Sequence, residues 1–193
     1  HHLLRRQRQM CIRDSYGNKL SQMCTKVYSV ELDFYNFKGF SFMREQDKEK
    51  AILILNQIME LELSGVVRYT HYSLMVYGYH RIPIVNWLKE NAQEGLEHAG
   101  KAGEMVTMLG GHPSLKIGAL LETEKHDIGD ILRESLEHEA LTASVYHELL
   151  GLVEGKSVIL EEYARGMIHL EEQHLDEVNK MLRKPGDLAP FEA

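Results

Sequence analysis

The chain has 193 residues, 44% of them hydrophobic and 26% charged, with a formal net charge of −7. That length suits one domain with a real core, and the acidic balance leaves no bulk footprint for nucleic acid. No apolar run reaches the ~18 residues of a membrane span; the cysteines, Cys11 and Cys24, form no CxxC pair, which excludes a zinc ribbon or rubredoxin-type site and suits a reducing, cytoplasmic setting.

Residues 8–15 resemble translated sequencing-adapter read-through, so residues 1–15 are set apart from fold reasoning as artefactual. Residues 16–46 are aromatic-rich but aperiodic. The expected organisation is an irregular arm over 1–46, a helical body over 47–184 and a short tail over 185–193.

The first helical segment is predicted from Asp47 to Tyr77. Its inward line is Leu55, Ile58, Glu62, Val66, Tyr69, Ser73 and Val76, at the three-four spacing of one helix face. Gly78 and the turn Arg81-Ile82-Pro83 end it. The second segment is predicted from Ile84 to Leu109, with an inward line of Trp87, Asn91, Glu94, His98, Lys101, Met105 and Met108. Beside it runs a line of small residues, Ala92, Gly95, Ala99 and Ala102, and Gly110-Gly111-His112-Pro113 stops the helix.

Residues 110–126 read as a long connection without periodicity. The third helix is predicted from Asp127 to Val153 and the fourth from Val158 to Leu182, with Glu154-Gly155-Lys156-Ser157 as a tight turn and N-cap between them. Short links join antiparallel neighbours, and one long central connection supplies a crossover. The expected class is therefore all-α, an antiparallel four-helix bundle.

Each helix carries a candidate metal ligand. On one helix face, residues three or four apart are neighbours, so Glu171 and His174 can serve one metal ion, as can Glu94 and His98. Glu62 interrupts an apolar line that holds no lysine or arginine, and a buried carboxylate needs a partner. On the third helix, Glu139 lies on the apolar line Leu132, Leu136, Ala143, Tyr146, Leu150 and Val153, whereas Glu137 shares a polar line with Asp130, Glu134 and Glu148. Glu139 is the expected ligand there, with Glu137 and His138 as the alternatives. Four inward carboxylates and two histidines suit a pair of iron ions, and their N/O donors also admit manganese. Tyr69, two turns beyond Glu62, is positioned to hydrogen-bond a ligand or give up an electron.

Over residues 50–184 the chain resembles the bacterioferritin branch of the ferritin-like superfamily. The resemblance is carried by Leu55-Asn56, Glu62-Leu63 and Tyr69, by His98-Ala99 followed by Glu104 and Pro113, by Tyr146-His147-Glu148-Leu149-Leu150-Gly151, and by Glu171-x-x-His174. It implies a ferroxidase that oxidises Fe(II) with oxygen or peroxide and passes Fe(III) to a mineral store, in a homo-oligomer ranging from a dimer to a shell. Three departures stand out. The family's Glu-x-x-His motif meets Gly95, so Glu94 would substitute from one residue earlier; Leu96 replaces the haem methionine, which argues against haem; and the ten residues after Arg183 are too few for the fifth helix of the large cage. Two other readings compete: a rubrerythrin-like peroxidase that stores no iron, and a protective shell of mini-ferritin type.

Overall fold

The computed structural model describes residues 43–120 and 123–192, so the arm expected over 1–46 lies outside the described residues as far as 42. The described residues form four helices and no strand: α1 (Glu45–Met75), α2 (Arg81–Met108), α3 (Ile128–Val153) and α4 (Val158–Leu182). The links after α1 and α3 are too short for anything but antiparallel hairpins. α1 packs on both α2 and α3, and α3 packs on α4. No described helix is long and apolar enough to cross a membrane.

The third and fourth helices lie where the glycine and capping signals put them. Asp127 caps α3 with its side chain, accepting from Gly129 N–H at 2.9 Å. Before α4, Gly155 turns the chain at φ +68°. Ser157 occupies the N-cap position without a side-chain capping bond, and the Glu161 carboxylate instead accepts from Gly155 N–H at 2.9 Å.

Several boundaries differ from the sequence expectation: α1 begins at Glu45, before Asp47 and inside the expected arm, α2 ends one residue early and α3 starts one residue late, and the turn between α1 and α2 differs most. α1 ends at Met75, before Tyr77, because Arg81 turns back and donates to the Val76 carbonyl, while Gly78 reverses the chain at φ +89°. α2 starts at Arg81, before Ile84, and takes Pro83 into its first turn. The missing proline N–H costs nothing there, since the first helical bond runs from Ile84 N–H to the His80 carbonyl at 3.3 Å.

The buried face of α2 is also rotated from the expected line. Val85, Leu88, Ala99, Ala102 and Val106 are buried, whereas Lys101 and Met108 are exposed and Glu94 is half-exposed. The small residues let α1 come close: a Cβ added at Gly95 would sit 3.3 Å from the Glu62 carbonyl oxygen. Between α2 and α3 the crossover is strapped along α1. Gly118 N–H donates to the Glu60 carbonyl at 2.7 Å, and Ser114 N–H donates to Asn56 Oδ1 at 2.8 Å. Polar straps explain why that segment shows no hydrophobic period.

The core falls into two clusters on either side of a polar layer. One is built around Leu55, Ile58, Ala102, Tyr146, Leu149 and Leu160, the other around Tyr69, Tyr72, Leu88 and Ile131. The layer between them holds the site.

Candidate metal centre

Within that layer Glu62, His98, Glu139 and Glu171 are buried, with Glu171 only 1% exposed, and His174 is partly buried. Their ligand atoms form two triads. Glu62, His98 and Glu171 offer atoms within 4.8 Å of one another, and so do Glu139, Glu171 and His174. Glu171 belongs to both. His98 Nδ1 stands 3.5 Å from Glu62 Oε1 and 3.5 Å from Glu171 Oε1, while His174 Nδ1 is 3.8 Å from Glu139 Oε2. The two imidazoles lie nearly parallel, 15° apart with centroids 6.4 Å distant.

Of the six ligands expected from sequence, five fall into the triads. The sixth, Glu94, lies in neither, and its Oε2 faces His174 Nε2 at 3.3 Å. Glu94 projects from the exposed flank of α2, while the inward position belongs to Gly95, so its carboxylate reaches the outer nitrogen of the histidine. On α3, Glu137 is exposed; His138 is buried and lines the site beside Tyr69, outside both triads.

Two tyrosines hold the carboxylates. Tyr69 donates to Glu139 Oε1, and Tyr146 donates to Glu62 Oε1 at 2.8 Å. Sequence reasoning put Tyr146 on the inward line without giving it a task. The signal was present, because Glu62 to Tyr69 and Glu139 to Tyr146 have the same seven-residue spacing.

Burial and mutual contacts shift all five of the triad side chains from their ordinary pKa ranges. Burial raises Glu171 to about 8, and burial likewise raises Glu62 against the opposing contacts of His98 and Tyr146. Burial would lower His98, but Glu171 and Glu62 outweigh it and lift the ring to about 9. Burial would raise Glu139, yet contacts with His174, Glu171 and Tyr69 hold it down at about 2. His174 is raised by Glu139. Burial keeps the Tyr69 and Tyr146 hydroxyls protonated, well above their ordinary range. The cavity between these side chains is about 20 Å³, close to one water-sized sphere.

Residues 52–186 match the family model described as Ferritin-like domain. Solved structures share the architecture. A ferritin-like, diiron-carboxylate protein from Bacillus anthracis str. Ames aligns with a TM-score of 0.68 at 22% identity, over 71% of this chain and 98% of that one. The bacterioferritin of Desulfovibrio desulfuricans, whose structure describes a diiron site in different catalytic states, aligns at 0.63 and 25% identity over 72% and 82%. The bacterioferritin of Rhodobacter capsulatus, solved with a metal-free dinuclear site and haem iron, aligns at 0.64 and 22% identity over 69% and 84%. No curated protein sequence gives a match.

Proposed function

The chain belongs to the ferritin-like domain family, and on that premise we propose that it is a bacterioferritin-like ferroxidase that oxidises Fe(II) to Fe(III) for iron storage or detoxification. The observation that carries this reading is the sharing of Glu171 between two carboxylate–histidine triads. Three buried carboxylates meet there, and no lysine or arginine among the described residues pairs with them. Such a cluster is costly unless cations neutralise it, and its N/O donors suit iron or manganese.

In this reading Glu62 and His98 would hold one ion, Glu139 and His174 would hold the other, and Glu171 would be within reach of both. Iron bound there supplies the electrons that reduce oxygen or peroxide. The chain does the rest. Tyr69 and Tyr146 orient Glu139 and Glu62, and Glu94 steadies His174 through its outer nitrogen, as carboxylate partners of metal-bound histidines do. Burial raises Glu171, and against burial the contacts of Glu171 and Glu62 raise His98, so this pair holds protons that an incoming cation would have to displace. Haem has no place in the proposal, because Leu96 stands where the family methionine would be.

Both triads are drawn from one chain, which disfavours the mini-ferritin reading, in which ligands cross a subunit interface. The choice between a storing ferroxidase and a non-storing, rubrerythrin-like oxidoreductase rests on capacity. Aerobic Fe(II) additions followed by gel filtration separate them. Iron retained far above the roughly two ions of a dinuclear centre means storage, and a plateau at that value means a non-storing enzyme. Oxidation no faster than in buffer alone refutes both.

A further inference from the structure

A second polar cluster lies outside the metal centre, on the face where α1 meets the end of the crossover. A cavity of about 550 Å³ opens there, with Arg68, Tyr72 and Glu134 in its wall and His71, Lys125 and His126 also lining it. Arg68, Tyr72 and Glu134 are all at least nine-tenths buried. Glu134 is saturated: Tyr72 donates to its Oε2 and Thr123 to its Oε1. Arg68 is not. Its bonds to described residues all leave from Nη2, to the Glu134 carbonyl at 3.0 Å and the Tyr72 hydroxyl at 3.4 Å, and both acceptors are neutral. No described carboxylate lies within ion-pair distance of the guanidinium.

A buried guanidinium ordinarily has an anionic partner, and its planar fork fits a carboxylate in two-pronged fashion. We propose that this cavity is a binding site for a small organic carboxylate, held by Arg68 with His71, Lys125 and His126 around it. Three observations choose this ligand. The volume falls in the range of small-molecule pockets, about 300–1,000 Å³, and far exceeds the ~30 Å³ share of a water-sized ligand. The walls include Val67 and Leu120 and the aromatic faces of His71 and His126, whose rings lie 5.7 Å apart, so the ligand carries an apolar or flat portion. Glu134 and Glu124 also line the cavity, which penalises a multiply charged anion such as phosphate and favours a single negative charge.

Arg68 immediately precedes Tyr69, which donates to Glu139 of the metal centre. The cavity therefore borders the polar layer without sharing a ligand with it, and the proposal stands whether or not the centre oxidises iron.

The test is calorimetric titration of benzoate, and separately of inorganic phosphate, into the metal-free protein. Saturable benzoate binding is expected, weakened at least about tenfold, some 1.4 kcal/mol, by Arg68→Lys, which keeps the charge but loses the fork. His71→Ala, at an exposed position where folding is not at stake, should weaken it by a smaller factor. Circular dichroism of each variant verifies that the helices remain. Absence of saturable benzoate binding to the wild-type protein overturns the proposal, as does benzoate affinity unchanged in both folded variants. Phosphate bound as tightly as benzoate overturns the assignment to a carboxylate.

Discussion

Tyr146 on α3 donates its hydroxyl to Glu62 on α1 at 2.8 Å, and Tyr69 on α1 returns the same bond to Glu139 on α3. Each tyrosine stands seven residues beyond the glutamate of its own helix and serves the glutamate of the other. The two carboxylates are thus cross-tied between helices that pack against each other, which fixes their direction toward Glu171 before any cation arrives.

Removing one tie should be felt in the metal-free fold. Tyr146→Phe strips a donor from a buried carboxylate and should cost about 1–3 kcal/mol, measured by urea unfolding. Tyr163 is the control. Its ring packs edge-on to Tyr146 with centroids 6.1 Å apart, but its buried hydroxyl makes no hydrogen bond of normal geometry. Tyr163→Phe should be neutral or stabilising. Equal losses in the two variants would remove the cross-tie from the account.

Metal binding should depend on pH in a stated direction. His98, raised to about 9, and Glu171, raised to about 8, bind protons that a cation must displace. Affinity for a divalent ion should therefore climb from pH 6 to pH 9, with protons released in proportion. The metal-free protein should behave oppositely. Stability from a raised histidine is complete below its unfolded value of 6.5 and is lost as pH rises through about 9. A raised Glu171 likewise favours the folded state while protonated and loses that contribution between 4.5 and about 8. Glu139, depressed to about 2, contributes stability that is present above 4.5 and fades as pH falls toward 2. Thermal melts should show the metal-free protein weakening on the alkaline side and the metal-loaded protein resisting it.

Gly65 marks a tight contact behind the site. A Cβ there would stand 2.8 Å from His138 Nε2, inside the range where something must shift. In a helix Gly→Ala otherwise gains about 1 kcal/mol, whereas overpacking costs about 1–3 kcal/mol. Gly65→Ala should destabilise the wild-type protein and stabilise a His138→Ala background. A double-mutant cycle measures that reversal, and additivity would contradict it.

Glu94 separates two roles that the sequence left joined. As the outer partner of His174 it should tolerate Glu94→Gln with two ions still bound and affinity reduced about 10–100-fold. Loss of one whole ion from that variant would return Glu94 to the ligand set.

Much of this was legible in the chain. Gly110-Gly111, Asp127, Gly155 and Pro185 delimit helices that obey local rules, and an isolated glutamate such as Glu62 or Glu139 on an apolar line has to meet something positive. The face of α2 was not legible, because large residues such as Trp87 and Met105 draw a hydrophobic line, whereas Ala99 and Ala102 are buried, and Gly95 lies against α1, because their smallness admits that helix. Glu134, Arg68 and Tyr72 escaped for a related reason. They form a polar network between α1 and α3, and polar residues that meet one another across helices leave no period in either.

The central claim is that Glu171 is shared by two metal ions within one chain. The direct test is the number of Co(II) or Fe(II) ions bound per chain under anaerobic equilibrium dialysis, for the wild-type protein and for Glu171→Ala with its helicity verified. The account predicts about two ions per wild-type chain and loss of tight binding at both positions in the variant. Two ions still held tightly by Glu171→Ala, or none by the wild-type protein, would contradict it.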